Sequence, residues 1–566
     1  MSLIGALNAG QSGLSASQAA IQVTGSNISN ASDPNYARET VQTTPSPDQQ
    51  LRQGILVGTG VDLSSIQRQV DEALQTRLRN SVSDSQSAST TKQWMDQVQS
   101  VFDALGTDNL QTSMNNFFGS WSSLANQPQD SGQRQIVLQG GDSLAKKFQG
   151  QMTQLDALST QVNSQINAGA QAADSLASKL ASLNGQIVVA EGGTAAAAGS
   201  LRDQRDSVLK QLSGLMNVTT VQQPNGAMDV YVGSEPLVSN NISNGVAVQS
   251  KNVNGSVVQQ VVFKKTNGVV QLNGGGQLGA LSDMQARLGG VIDQENTLAH
   301  NLIFELNKIH ASGQGIGGFS SIKATNAVTD PTKALDSAAA QLPFAPTNGS
   351  FVLHVKDKTT GQDTSTLVQV SLTGSGSDTT LNSLAASLNG VNGVVANVNG
   401  GTLSISAASS NTEISFSQDS SGVLASLGMN NFYTGTDATN IAVSQTLMAQ
   451  PQMLAAAKNG QPDDNQTALA IAAMGTQPIT ALSGISLNDT YQGMINGIAA
   501  QSASAKTNSD AAQAVQSTLQ SQRDALSGVS IDEETVNLLK QQQAFMGSSK
   551  LISIVNQLMQ TMMGMV

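Results

Sequence analysis

Apolar residues recur every seven positions at both ends of the chain. Near the start the series is Leu7, Leu14, Ile21 and Ile28; at the far end it is Ile531, Leu538, Phe545, Ile552, Met559 and Val566. A seven-residue repeat keeps one apolar stripe on the same side of a helix every two turns, the pattern of helices that pack along their length. A second C-terminal series, Ala544, Leu551, Leu558 and Met565, widens that face beyond what one partner helix covers. Small residues (Ala6, Ala9, Gly10, Gly13, Ala16, Ala19, Ala20) surround the N-terminal stripe and permit close helix approach. Pro34 pushes Asp33 out of the α region and ends the element. At the other end Ser530 and Glu533 form a capping-box pattern that starts the last helix. The two ends, 1–35 and 530–566, read as helices made for assembly.

Between them the period changes several times. Residues 36–65 are rich in Thr, Pro and Val and predict strands and turns, a β-hairpin region. Steps of three and four through Trp94, Val98, Val101 and Leu105, and again from Leu144 to Ile187, predict helices. From Val218 short β-branched runs (Val218–Val221, Val230–Val232, Val257–Phe263) alternate with Asn225-Gly226, Asn244-Gly245, Asn254-Gly255 and Asn267-Gly268, the dipeptides of tight antiparallel hairpins. A helix follows over Leu278–His310. A second β-rich island covers 341–435, with strand-like runs at Phe351–Lys356, Leu367–Leu372 and Leu403–Ser406. The predicted fold is mainly α with β-rich insertions. It is an elongated, multidomain plan: a terminal α-helical coiled coil, a helical bundle from 36–217, 278–340 and 436–529, a β-rich segment at 218–277 and an outward β domain at 341–435.

Composition narrows the possibilities. The formal net charge is −12, charged residues are 12% and aromatics 3% of the 566 residues, and there is no cysteine. An acidic chain lacks the basic face that phosphate backbones need, which argues against nucleic acid. No apolar run approaches the roughly 20 residues that span a bilayer, so no membrane partner is expected. The first cation is Arg38, so the start lacks the basic segment of a cleaved secretory signal. Thiolate metal sites and catalytic thiols are excluded.

One motif suggests a cofactor. Gly274-Gly275-Gly276-Gln277-Leu278-Gly279 fits G-x-G-x-x-G and opens a helix, as in dinucleotide folds. Those folds also need an apolar parallel strand about 30 residues on, and none follows. The glycines then read as a β-to-helix joint. His300, His310 and His354 have no metal-ligand spacing, and Asp463-Asp464-Asn465 lacks the glycine and bidentate Glu of a calcium loop. No cofactor, metal or catalytic residue is expected, and the chain does not read as an enzyme.

Two terminal stretches carry a resemblance. Asn27-Ile28-Ser29-Asn30-Ala31 with Pro34 and Tyr36 resembles the N-terminal signature of flagellar rod, hook and hook-associated axial proteins, although Asp33-Pro34-Asn35-Tyr36 stands where the family has Thr-Pro-Gly-Tyr. Val536-Asn537-Leu538-Leu539, Gln541-Gln542-Gln543-Ala544-Phe545 and Lys550-Leu551-Ile552 resemble the C-terminal signature. Leu201-Arg202-Asp203-Gln204-Arg205-Asp206, and the stretch from Gly275 through Leu306-Asn307 to His310-Ala311-Ser312-Gly313, are similar to the hook-associated members. The resemblance implies a structural part of the bacterial flagellum that joins hook to filament and is needed for filament assembly. It implies type III export without a cleaved signal peptide, an extracellular location, and self-assembly into a ring or short tube. The implied neighbours are hook protein on one side and the next hook-associated protein on the other, with an export chaperone on the C-terminal helix. The assembly interface would be the heptad residues above, Leu551 and Leu558 among them. A hook or distal-rod protein, or a secreted protein binding surfaces through its β domains, remains the alternative.

Overall fold

The computed structural model describes residues 3–52, 55–102, 106, 109–192, 198–253, 256–461 and 463–564. Leu105, the Asn254-Gly255 pair, Met565 and Val566 lie outside the described residues. Mainly helical architecture with small antiparallel sheets is what the sequence predicts and what the structure has. The helices are α1 (Leu3–Ser29), α2 (Glu72–Phe102), α3 (Leu110–Asn126), α4 (Ser131–Glu191), α5 (Gly199–Leu215), α6 (Gly276–Ala311), α7 (Leu381–Asn389), α8 (Val423–Leu427), α9 (Gln445–Ala449), α10 (Gln466–Met474), α11 (Leu487–Ser527) and α12 (Ile531–Met563). Helix ends carry the expected caps. Asn109 accepts from Thr112 N at α3, Thr380 and Ser383 form a reciprocal capping box at α7, and Ser530 accepts from Glu533 N at α12. At α12 the box is only half closed, because the Glu533 carboxylate turns to Arg38 instead. Asp532, Glu533 and Glu534 all sit in that first turn, where the helix dipole favours negative charge.

The chain divides into two compact units. The first comprises Met1–Trp94, Gln161–Ala286 and Ala503–Val566. Here β1 (Glu39–Pro45) pairs antiparallel with β4 (Val61–Arg68), enclosing the small hairpin β2 (Gln49–Arg52) and β3 (Ile55–Val57). Strands β5 (Thr219–Gln222), β6 (Met228–Val232), β7 (Glu235–Ser239) and β8 (Ile242–Ser243) form a four-stranded meander, followed by the ribbon β9 (Val246–Val253) and β10 (Ser256–Phe263). Gly226 (φ +87°) and Gly245 (φ +65°) take the left-handed angles that an Asn-Gly turn demands. The Asn184 amide pins the meander to α4, donating to Met228 O and Asn240 O and accepting from Met228 N.

The second unit comprises Met95–Thr160 and Arg287–Ser502. Its β part pairs β12 (Gly349–Asp357) with β13 (Asp363–Val370) and β16 (Thr412–Ser417), and β15 (Thr402–Ala407) with β11 (Ser321–Lys323) and β14 (Val394–Asn399). Alternate residues Phe351, Leu353 and Val355 of β12 enter a core shared with Phe416, Leu403, Ile405, Leu384 and Leu388. This core also takes Phe319, Ala324, Val328, Leu335 and Ala340. Residues 319–340 therefore belong with the β domain, not with the bundle segment 278–340 predicted from the sequence, while Gln314 and Ile316 bond to the backbone of Ala457 and Gln452. β11 is three residues long and pairs with a strand about 80 positions away, so no local period marks it. Helical residues pack instead around an aromatic cluster of Phe117, Trp121, Phe432 and Tyr433 beside His310. Its ring is fully buried, with Nδ1 2.8 Å from Asn430 O and Nε2 accepting from Ala455 N, and burial holds its pKa down to about 4. Gly141 is required here: a Cβ would come 2.6 Å from the Phe432 ring.

One group of the second unit opposes the fold. Glu295 of α6 is fully buried and neither carboxylate oxygen has a hydrogen-bond partner. Burial pushes its pKa up to about 8. The folded state thus retains a proton that the unfolded chain releases near the ordinary glutamate value, so stability falls as pH rises from about 4.5 to about 8 and is level beyond. Glu295→Gln should flatten that slope and stabilise the unit by roughly 1–3 kcal/mol at pH 9. Urea unfolding of both proteins at pH 5 and pH 9 measures the difference.

Candidate assembly interface

The first and last helices run antiparallel against each other, with Gly10 opposite Ile552, Gly13 opposite Ser548 and Asn27 opposite Glu534. A Cβ at Gly10 would lie 2.8 Å from Ile552 Cγ1, and one at Gly13 would lie 2.8 Å from Ser548 Oγ. Glycine at these positions lets the backbones approach, and the contact offsets the roughly 1 kcal/mol of helix propensity that each glycine loses. The buried positions of α1 are Gly10, Ser17, Ala20, Val23, Thr24 and Asn27. On α12, Glu534, Leu538, Gln541, Phe545, Ser548, Ile552, Val555 and Met559 are shielded, in alternating steps of four and three. That is a coiled-coil seam whose N-terminal half is built from small and polar residues.

The predicted interface residues divide between two faces. Leu538, Phe545, Ile552 and Met559 lie in the seam, while Leu7, Leu14, Ile21 and Ile28 are half-buried on α1. Ile531, Leu551 and Leu558 are exposed, at 57%, 39% and 49%. Leu551 and Leu558 belong to an open apolar surface of α12 with Leu539, Met546, Ile554 and Met562, whereas Ile531 lies one heptad before Leu538, on the seam stripe. Gly10, Gly13 and Ala20, expected from the sequence only as small neighbours of the apolar stripe, are part of the seam itself, in the series Gly10-Ser17-Thr24 and Gly13-Ala20-Asn27, which also repeat every seven positions.

At one end of this pair the signature residues form a buried polar joint. Asn27 is 1% exposed and all its amide capacity is used. Its Nδ2 donates to Glu39 O at 2.9 Å and Glu534 Oε2 at 3.0 Å; its Oδ1 accepts from Tyr36 OH at 2.9 Å and Glu39 N at 3.0 Å. Arg38 Nη2 reaches Glu534 Oε1 at 2.8 Å, and Arg38 N donates to Ser527 O at 2.9 Å. Arg523 of α11 donates to Pro34 O and Tyr36 O, each at 2.8 Å. Burial raises the Tyr36 phenol and the Glu39 carboxyl above their ordinary pKa values. Two stretches of chain that are distant in sequence meet here: α1 with the 33–39 turn, and the end of α11 with the start of α12.

The stretch from Leu201 to Asp206 is a second brace. Arg202 grips Glu191 with two bonds of 2.7 and 2.9 Å, and Arg205, fully buried, donates to Gly226 O at 3.1 Å and reaches Asp206. Arg68 Nη2 lies 2.8 Å from Asp203 and 2.6 Å from Asp206. Burial raises the Asp203 pKa to about 6; at Asp206 burial acts the same way, but Arg205 and Arg68 overcome it and hold the carboxyl low. The glycine fingerprint is structural as well. Gly276 (φ +65°) begins α6 with its Cα against α5, where a Cβ would sit 2.4 Å from the Leu215 carbonyl carbon, and one at Gly279 would meet Gly274 at 2.5 Å. At both glycines the neighbour is protein backbone.

Comparison with known proteins agrees with this construction. Residues 7–36 match the family model described as flagella basal body rod protein, 520–565 the flagellar basal body rod FlgEFG protein C-terminal, and 95–321 the flagellar hook-associated protein FlgK helical domain. Along nearly its whole length the chain is similar to the flagellar hook-associated proteins. Flagellar hook-associated protein 1 of Escherichia coli K12 is 24% identical over 97% of both chains, and that of Bacillus subtilis is 26% identical over 42% of this chain and 49% of its own. The flagellar hook junction protein FlgK from Burkholderia pseudomallei shares the fold, with a TM-score of 0.53 at 16% identity over 80% of this chain and all of that one. The two rod-protein matches coincide with the paired terminal helices, and so with the polar joint. Asn27→Ala removes four hydrogen bonds and leaves Glu534 one partner short in a buried setting, an expected loss of roughly 2–4 kcal/mol in the α1–α12 pairing. Hydrogen exchange should then run about 30-fold faster or more across α1, while Leu551→Ala leaves it unchanged.

Proposed function

We propose that the chain is a junction piece of the flagellum that joins hook to filament and without which filament does not assemble. The observation that carries this reading is the one-sidedness of the terminal pair: α12 covers one face with α1 and leaves Leu539, Met546, Leu551, Ile554, Leu558 and Met562 open to solvent. A row of exposed apolar side chains of this length is what an assembly surface offers before its neighbours arrive. In this reading α1–α12 pairs from successive subunits close into an inner tube, as a ring or short stack. The rest of the chain lies outside it, and ordering of the ends is completed on assembly. α1 carries no charged residue and α12, beyond its first turn, carries only Lys540 and Lys550, so the inner wall is low in formal charge, and unfolded cargo passes without electrostatic trapping.

The partners follow from the same reading: hook protein below, the next hook-associated protein above, and before assembly a type III export chaperone on the C-terminal helix. The relatives' names, flagellar hook-associated protein 1 and hook junction protein, support this position. The role is structural and requires no reaction.

Deleting the gene in its motile host should give cells with bare hooks and flagellin free in the medium. Missing hooks would move the protein to the rod or hook, and normal filaments would contradict the proposal. At the residue level, Leu551→Asp with Leu558→Asp should abolish filaments while leaving the thermal unfolding of the soluble chain within about 0.5 kcal/mol of wild type, since both side chains are exposed.

A further inference from the structure

The first unit gathers cations at a place where the brace and the signature turn meet. A cavity of about 30 Å³ is lined by Arg68 of β4, Arg79 of α2, Lys210 of α5 and Arg523 of α11, with Asp206 as its one carboxylate and Pro34 at its edge. In a chain with 27 Lys and Arg among 566 residues, four of them on so small a cavity is a strong local excess. Asp206 is already bound to Arg68 and Arg205, and the side chain of Arg523 is taken by Pro34 O, Tyr36 O and Asp524.

Two of the cations are left without an ion pair among the described residues. Arg79 is 5% exposed, its Nη2 meets only the hydroxyls of Thr76 and Thr220, and its Nε has no partner. Lys210 Nζ donates to the neutral amide of Gln520 at 3.2 Å. Arg68 likewise keeps a buried, unpartnered Nε. Burial lowers the pKa of Arg79, and burial together with the charge of Arg523 lowers that of Lys210, so both are under-compensated. Asp206 and then Glu72 act electrostatically on Arg79, and Asp524 on Lys210, but none of them bridges either cation. Buried charge at this level requires a counter-charge or hydrogen-bond acceptors, and unpaired N–H groups converging on a cavity are how proteins hold anions.

We propose that this cavity is a binding site for a single small inorganic anion of chloride size, held by Arg79, Lys210 and Arg68. At about 30 Å³ the cavity exceeds the roughly 10–15 Å³ that one water needs, which leaves room for a monatomic ion beside the three cations. A bound anion joins α2, β4, α5 and α11 behind Pro34, the turn that carries the two ends of the chain to one another. Occupancy would then stiffen the base from which the terminal pair departs.

The test uses the full chain. Thermal unfolding is followed with increasing sodium chloride, with sodium gluconate added to keep total sodium constant. Chloride should raise the first unit's transition by roughly 2–4 °C in a saturable way, and Arg79→Gln and Lys210→Gln should each remove the chloride-specific part. The exposed Lys146→Gln should retain it. Crystals soaked in sodium bromide should give an anomalous peak inside the cavity. Equal transitions in both salts, the same chloride response in Arg79→Gln and Lys210→Gln as in wild type, or a cavity holding water with no bromide peak would each overturn the assignment.

Discussion

A single buried amide organises the ends of this molecule. Asn27 has two donors and two acceptor positions, and each is matched by a group from a different direction: Tyr36 from the turn, the Glu39 backbone from β1 and Glu534 from α12. A buried amide is tolerated only when it is satisfied in this way. The requirement fixes where α1 must stop, how the chain re-enters β1, and which turn of α12 lies opposite. Arg38 and Arg523 then lock the same place from outside, one to Glu534 and the other to the carbonyls of Pro34 and Tyr36. The glycines at 10 and 13 continue the constraint along the seam, because only a residue without a side chain admits Ile552 and Ser548 so closely.

The two compact units solve stability differently. The first uses arginine: Arg68 ties β4 to the distant α5, while Arg202 and Arg205 join α5 to the end of α4 and to the turn before β6, through carboxylates or carbonyls that are themselves largely buried. The second relies on packed rings and alternating β side chains, and its one buried acid, Glu295, has no counterpart. A chain with few charges thus spends most of its buried ones in a single unit, near the signature turn. The apolar surface that is not spent in either core is concentrated on α12.

Patterning made the helices, the Asn-Gly hairpins and the glycine joint at 274–279 legible in the sequence, because each has a local cause: period, turn chemistry or backbone freedom. The terminal heptads were legible for the same reason, and the resemblance at residues 27–36 and 536–552 led to the family. The seam itself was not. Gly10, Ser17 and Thr24 carry no hydrophobic signal, so a search for apolar stripes finds the leucines beside them. Nor could any local pattern attach 319–340 to the β domain, whose claim on those residues rests on the three-residue strand Ser321–Lys323 and on side chains such as Phe319 and Val328 that reach a distant core. The pairing of Asn27 with Glu534 spans 507 positions and is visible only in three dimensions.

The account depends above all on α1 packing against α12 of the same chain, in one register. The absence of cysteine makes that directly testable. A Cβ at Gly13 would lie 3.8 Å from the Cβ of Ser548, the separation typical of a disulfide (mean ≈ 3.8 Å). The measurement is oxidation of the Gly13→Cys, Ser548→Cys double variant, followed by non-reducing electrophoresis and peptide mapping. Rapid, nearly complete formation of a bond within single chains is the predicted result. Free thiols after oxidation, or crosslinks only between chains, would contradict it.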